Sequence, residues 1–300
     1  MSAHPRPLSL AIVASTVAPG IHPDDVSLVA ALHAQRIESV PCRWNDPGVD
    51  WSRFDALLVR TTWDYFQHYA AFLAWLDRID RLGLPIVNDV ALLRWNSDKR
   101  YLLEVARRGV DIIPTRVATG ATLQAMLRTM AGEVVIKPTV SGGAWHTVRG
   151  HIGDSALDAA VEVLPRDIDY LIQPFVPDIV VAGEWSLMFF GGQYSHAVLK
   201  RPRTGDYRVQ SEYGGSATLA EPGDMILAAA RGALAEVAAL GHADQAYVRV
   251  DGVVTEGRFR LMELEFIEPF LHFAVWPQAA QLFAAQLARR FEHLRVLGRA

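Results

Sequence analysis

The residues able to do chemistry are densest between Ala246 and Phe266. Val248, Val250 and Val254 alternate with Arg249 and Asp251, while Met262, Leu264 and Phe266 alternate with Glu263 and Glu265, so each run has an apolar and a charged face. Placing both apolar sets on one core face requires odd positions to pair with odd positions, which a three-residue loop, Glu256-Gly257-Arg258, would achieve. Asp251 then stands opposite Glu263, and Arg249 opposite Glu265. Directly opposed like charges destabilise a sheet, so this face is either solvated or neutralised by a divalent cation. The flanking segments are too apolar for a freely exposed sheet, and an all-oxygen donor set selects Mg²⁺ or Mn²⁺ over zinc.

Lys137 ends the apolar run Val134-Val135-Ile136 and precedes Pro138, so its ammonium emerges where a strand leaves the core. Ser141, Gly142 and Gly143 follow, a loop whose backbone N–H groups can approach an anion unobstructed. The pair reads as a phosphate cradle or as an edge lysine beside an ordinary turn. Lys99, in the first turn of a predicted helix, opposes the helix dipole and fits either a bound phosphate or plain solvation. The run Tyr170 to Val176, containing Gln173 and Phe175, is an extended connection able to clasp a planar base, with Glu184 following to accept from ribose hydroxyls. Core packing accounts for Phe175 and Val176 equally well. Lys200 to Arg208, running on to Gly214 and Gly215, is a basic loop in an acidic protein, either solvated or a lid that carries Lys200 and Arg208 to phosphates.

These residues need a scaffold, and the sequence describes an α/β one. Strands are predicted at Leu8 to Ala14, Glu38 to Arg43, Ala56 to Thr61 and Pro85 to Asn88, with helices at Asp24 to Gln35 and Gln67 to Leu82, the pattern of a small parallel sheet. A further helix is predicted to start on the caps Asn96-Ser97-Asp98 and to stop at Gly109. Beyond Ile112 the extended runs come in adjacent pairs, Glu133 to Pro138 with Ala144 to Arg149, and Trp185 to Phe190 with Gln193 to Lys200, so antiparallel hairpins take over. The expected division is 1–90 and 91–300, the second comprising a small unit at 110–180 and a metal and phosphate unit at 181–300. At the end of the third strand stands Arg60-Thr61-Thr62-Trp63-Asp64-Tyr65, where open α/β sheets place ligands. Arg60, Thr62, Asp64 and Tyr65 are candidate substrate contacts; the alternative is core aromatics with Arg60 as a structural ion-pair partner.

Composition excludes several classes. Of 300 residues, 51% are hydrophobic and the formal charge is −4, which argues against disorder and against nucleic acid or an anionic membrane as partner. Cys42 is the single cysteine, excluding an internal disulfide and a cysteine zinc site. The apolar stretch near the start is followed by loop and helix signals, so a signal peptide is not expected; no run reaches the ~20 residues of a membrane helix, and a cytoplasmic location follows as the expectation. Neither G-x-x-x-x-G-K-[ST] nor a G-x-G-x-x-G after the first strand is present, and His146 and His196 lack metal-ligand spacing.

Over roughly residues 90 to 290 the ordered set of Lys99, Lys137, the 141–143 loop, Gln173 to Val176, Glu184, Arg249 and the acidic hairpin resembles the ATP-grasp superfamily, of the glutathione synthetase and ribosomal-protein glutamate ligase type. The resemblance implies an ATP-grasp fold behind an N-terminal Rossmann-like domain and an ATP-dependent carbon–nitrogen ligase. It implies that Lys99 and Lys137 contact ATP phosphates beneath Ser141, Gly142 and Gly143, that Gln173, Phe175 and Val176 hold adenine, and that Glu184 holds ribose. Arg208 and Arg249, with Lys200, would stabilise the transferring phosphoryl group, and Asp251, Glu263 and Glu265 would bind magnesium. The family usually reads Glu-x-Asn where this chain has Glu263-Leu264-Glu265. Arg60 to Tyr65, together with Arg94-Trp95-Asn96-Ser97-Asp98-Lys99, is similar to O-ureido-D-serine cyclo-ligases, which close the D-cycloserine ring. That similarity implies a small amino-acid-like substrate, with Gly214 and Gly215 beside it; joining to a separate amine and nucleotide binding without turnover are the alternatives, and a homodimer is open.

Overall fold

The structure is a computed structural model and describes residues 6–297. The first ninety residues form a parallel sheet of β1 (Leu8–Ala14), β2 (Ile37–Arg43), β3 (Ala56–Thr61) and β4 (Ile86–Val87), in the order β2-β1-β3-β4. α1 (Val26–Ala34) covers one face and α2 (Tyr69–Leu82) the other, which is why β1 and β3 are apolar on both sides. Both helices begin later than their sequence pattern, because Pro23–Asp25 and Tyr65–His68 are 3₁₀ turns leading into them. Cys42 is buried.

The helix expected at Asn96 is two helices. α3 (Val90–Asn96) is capped by Asp89, whose carboxylate accepts from Leu92 N at 2.8 Å, and α4 (Tyr101–Arg107) follows after a turn holding Lys99. The Asn96 amide is engaged elsewhere: it donates to Leu264 O at 2.8 Å and accepts from Phe266 N at 2.8 Å.

Two antiparallel sheets follow. The smaller has the order β5-β8-β6-β7, from β5 (Arg116–Thr119), β6 (Glu133–Pro138), β7 (Val148–His151) and β8 (Asp169–Pro174), with α5 (Leu123–Leu127) and α6 (Ser155–Glu162) supplying its core. The expected extended connection at Tyr170 is thus the inner strand β8. After α7 (Asp178–Val181), the larger sheet has the order β11-β10-β9-β12-β13, from β9 (Glu184–Phe190), β10 (Gln193–Arg201), β11 (Ser216–Leu219), β12 (Tyr247–Thr255) and β13 (Arg258–Glu265). α8 (Asp224–Ala239) covers one of its faces. The last long helix, α9 (Gln278–Arg290), turns back onto α1, so Leu8, Leu28 and Leu32 share a core with Phe283 and Leu287.

The pairing of β12 with β13 matches the expected register at the charged positions, Arg249 with Glu265 and Asp251 with Glu263, but the turn differs. Thr255 pairs with Arg258, leaving a two-residue turn, and Glu256 and Gly257 take the positive φ of 51° and 73° that such a turn requires. A bulge between Asp251 and Gly252 restores the register, with Met262 as the extra residue. Glycine is needed there, because a Cβ at 252 would lie 2.3 Å from the Phe259 ring.

Candidate active site

The cleft lies between the smaller and larger sheets, and the strand period decides what faces it. On β6 the residues Val134, Ile136 and Pro138 are buried in the smaller sheet's own core, which turns Val135 and Lys137 to the opposite face. Cross-strand partners share a face, so Gln173 and Arg149, both paired with Val135, join them. On the larger sheet Arg249 and Asp251 of β12 share a face with Glu263 and Glu265 of β13.

These groups form a chain of ion pairs. Lys99, 6% exposed, lies 3.3 Å from Glu263 and also donates to the carbonyl and hydroxyl of Ser141, so it ties the glycine loop to the acidic strand. Arg249 holds Asp251 through Nε and Nη2 at 2.8–3.1 Å and also pairs with Glu265. Lys200 bridges Glu184 and Asp251, the latter at 3.6 Å, and Ser186 donates to Asp251. Lys137 makes no ion pair among the described residues.

The protonation balance follows from this packing. Burial pushes Asp251 up, but Arg249 and Lys200 overcome it and hold the carboxyl well below its ordinary range. Glu263 shows the same contest, with Lys99 and Lys137 prevailing over burial to lower it. Glu265 goes the other way: burial, with Glu263 and Asp251 nearby, outweighs Arg249 and pushes it up to about 7. Glu268 is pushed up to about 8 by burial and by Glu265 and Glu263. Burial, reinforced by Lys99, lowers Lys137. The cleft therefore offers one cation that Glu263 influences without a direct ion pair, and two glutamates raised by burial and by their acidic neighbours.

The residues expected on the nucleotide side each have their own partners. Gln173 is buried and donates to Thr115 Oγ1 at 2.9 Å. Phe175 is stacked beneath the Arg149 guanidinium, 3.5 Å from its ring centroid, with the Tyr207 ring edge-on at 6.0 Å. Val176 packs with Ile113, Val209 and Val253, a small core of its own. The glycine loop leans on the first sheet's layer: a Cβ at Gly142 would lie 2.8 Å from Phe66, and Tyr213 donates to Gly143 O at 3.2 Å.

Other expected residues are engaged elsewhere. Arg208 pairs with Asp206 at 2.8 Å and stacks on Tyr213 at 3.7 Å, so it belongs to the loop itself. Gly214 has φ 81°, and a Cβ at Gly215 would strike Val209 O, so both serve the turn of that loop. Arg60 is 2% exposed and donates through Nε and Nη2 to Asp25 and through Nη1 to Pro269 O, the structural ion-pair arrangement. Asp64 accepts from Trp44 Nε1 at 2.6 Å and Thr16 N at 3.0 Å. Thr62 is buried, and its hydroxyl has no partner among the described residues. Tyr65 is 4% exposed, and burial followed by Glu268, Glu263 and Glu265 raises its phenol, which brings it to the acidic group. His196 sits in the core against Leu271 O. Sequence reasoning missed Arg149 and Glu268; the cross-strand register marks the first, but a single glutamate past the strand end has no periodic signal.

The donor types fit a hard divalent cation, three carboxylates on one sheet face, two of them on one strand. Among the described residues, however, no three His, Cys, Asp or Glu side chains are grouped as a metal site requires, because each carboxylate is turned to a basic partner. Asp251, Glu263 and Glu265 would hold a metal there only by giving up those pairs. No helix among the described residues is long and apolar enough to cross a membrane.

Known proteins resemble this chain in sequence and fold. A family model described as the N-terminal domain of D-cycloserine synthetase DcsG matches residues 10–88. The chain is 33% identical over 298 residues to the cycloserine biosynthesis protein DcsG of Streptomyces lavendulae, covering 94% of this chain and 99% of that protein. A crystal structure of D-cycloserine synthetase DcsG superposes with a TM-score of 0.84 at 31% identity, over 95% of this chain and 100% of that one. A RimK domain ATP-grasp protein from Sphaerobacter thermophilus DSM 20745 shares the fold, with a TM-score of 0.66 at 17% identity over 93% and 98% of the two chains.

Proposed function

The chain belongs to the D-cycloserine synthetase family of ATP-grasp, ATP-dependent ligases, and from that membership we propose that it cyclises O-ureido-D-serine to D-cycloserine. The observation that carries the reading is the convergence of Lys99, Lys137, Lys200 and Arg249 with Asp251, Glu263 and Glu265 in one cleft, bounded on the first-sheet side by Tyr65. Such a set suits phosphoryl transfer, where the protein positions groups and neutralises charge and needs no Ser-His-Asp triad.

In this reading Gln173, Phe175 and Arg149 border the adenine, and Glu184 takes the ribose. Lys99 and Lys137 direct the phosphates under the Ser141 to Gly143 loop. Arg249 and Lys200 stabilise charge on the transferring γ-phosphoryl group as it passes to the substrate carboxylate. Asp251, Glu263 and Glu265 are the residues that would hold Mg²⁺, which supplies neutralisation of the phosphate oxygens when bound. The ureido nitrogen attached to oxygen then attacks the acyl phosphate, its N–C bond forms as the C–O bond to phosphate breaks, and a five-membered ring closes. Water removes the carbamoyl group as ammonia and carbon dioxide. Lys200 and Glu184 form a buried pair, so ribose binding at Glu184 exchanges one partner of that pair for hydroxyl donors.

The test is to incubate the protein with ATP, Mg²⁺ and O-ureido-D-serine and analyse the products by mass spectrometry. ADP with the ring product supports the reading. ADP released only when an amino acid and a separate amine are supplied together refutes it.

A further inference from the structure

Beyond Glu265 the chain leaves the sheet, and its carbonyls must find partners outside any ladder. Five successive ones do so on side chains: Ile267 O accepts from Tyr247 Oη at 2.7 Å, Glu268 O from Trp63 Nε1 at 3.2 Å, Pro269 O from Arg60 Nη1 at 3.0 Å and Phe270 O from Arg249 Nη1 at 3.2 Å, while Leu271 O meets His196 Nε2 at 3.0 Å. Donors from the first sheet's layer and from the larger sheet thus lock this segment from both sides. It is built to present something, and the side chain it carries beside the cleft is Glu268. Every other carboxylate of the cluster has a basic partner: Glu184 and Asp251 have Lys200, Asp251 and Glu265 have Arg249, and Glu263 has Lys99. Glu268 makes no ion pair among the described residues. Tyr65, 4% exposed and close enough for Glu268 to act on its phenol before any other charge, has no hydrogen-bond partner for its hydroxyl among the described residues.

We propose that Glu268, with the Tyr65 hydroxyl, is the subsite for the α-ammonium group of the substrate, an assignment that rests on the amino-acid ligase reading and extends it to a named specificity contact. Lys99 acts on Glu268 only from a distance, and a cation in direct contact is what the position lacks. A carboxylate on a locked segment with no ion-pair partner favours a ligand that brings positive charge over a neutral one, and burial with Glu265 and Glu263, against the pull of Lys99, acts in the same direction. The ammonium offers three donors, enough to reach the Glu268 carboxylate and the Tyr65 oxygen together. The carboxyl to be phosphorylated, one carbon away, then points towards Arg249 and Lys200.

The experiment compares O-ureido-D-serine with 3-(ureidooxy)propanoate, which lacks only the amino group, in ADP release by the wild type, Glu268→Gln and Tyr65→Phe. The carbonyl bonds that hold the segment do not involve the Glu268 side chain, so Glu268→Gln is expected to fold, with its melting temperature as control. The wild type should prefer the amino compound by on the order of 10²-fold in kcat/KM, as for a charge-assisted pair shielded from water. Glu268→Gln should bring that preference to within about threefold through KM for the amino compound, leaving KM for ATP within about twofold, and Tyr65→Phe should reduce it partially. A preference that survives in Glu268→Gln, or a wild type indifferent to the amino group, overturns the assignment. If no ring product forms but another amino acid supports ADP release, ring closure alone has failed; the same ratio, read with that amino acid and its des-amino counterpart, then decides on Glu268.

Discussion

Replacing Arg60 by methionine separates two roles for a residue whose type suits either. Its guanidinium is 2% exposed, bonded twice to the equally buried Asp25 and once to Pro269 O. Methionine keeps much of the volume and removes every donor. Asp25 then remains buried without its cation, and breaking such a pair from one side costs roughly 3–5 kcal/mol. For a chain of this size that is a fall in melting temperature on the order of 5–15 °C. Removing both charges, in Arg60→Met with Asp25→Asn, should be milder than the sum of the single changes by about 2 kcal/mol, since neither variant strands a charge that the other still answers. Thermal unfolding of the four proteins measures this, with KM for the amino-acid substrate determined in parallel. If Arg60→Met melts within a degree or two of the parent while KM for the amino acid rises a hundredfold, Arg60 is a substrate contact and the reasoning from the ion pair is wrong.

Lys137→Met should leave melting unchanged or slightly raised, because burial already disfavours this unpaired ammonium, while ATP affinity falls by about 30-fold or more in titration; unchanged affinity would remove Lys137 from the phosphate site. Glu265→Asn, which restores the residue usual in the superfamily, should keep turnover within about tenfold, since an amide oxygen replaces one ligand and relieves a crowded carboxylate; complete loss in a folded variant assigns Glu265 a role of its own. His196, pushed from 6.5 down to about 4 by burial, stays neutral in the fold where the unfolded chain takes a proton. Its contribution is therefore complete above pH 6.5 and is lost as pH falls towards 4, by up to about 3 kcal/mol, and His196→Gln should flatten melting temperature against pH across that window.

What could be read from the sequence was whatever repeats locally. Alternation of charge and valine along Val248 to Glu265 carried the pairing of Arg249 with Glu265 and of Asp251 with Glu263, because period two is a local property. The bulge at Met262 was not readable, since it depends on a Phe259 ring lying across Gly252. Asn96 has the composition of a helix start, yet its amide serves Leu264 and Phe266, some 170 positions away, and no window along the chain contains both ends of that bond. Arg60 and Asp64 illustrate the same limit at the site. Their types suit a polar ligand, but Asp25 and Trp44 reach them first, and only folding reveals which partner does. Glu268 was missed for the opposite reason: it is distinguished by the partner it lacks.

The return of α9 to the first sheet has a consequence for the order in which the molecule can be made. Leu8, Leu10, Leu28 and Leu32 leave the ribosome roughly 250 residues ahead of the side chains that close over them, Phe283, Ala284 and Leu287. At about 5–20 residues per second, the roughly 200 residues between the end of the first sheet and α9 take on the order of 10–40 s to make. Throughout that interval the core that β1 and α1 share with α9 stays open on the α9 side, although every strand of the sheet has been synthesised. A chain interrupted before residue 278 would carry that exposed face permanently. The nascent protein is therefore most in need of a chaperone during that interval, and a fragment ending with the larger sheet should be the form most readily lost to aggregation or proteolysis.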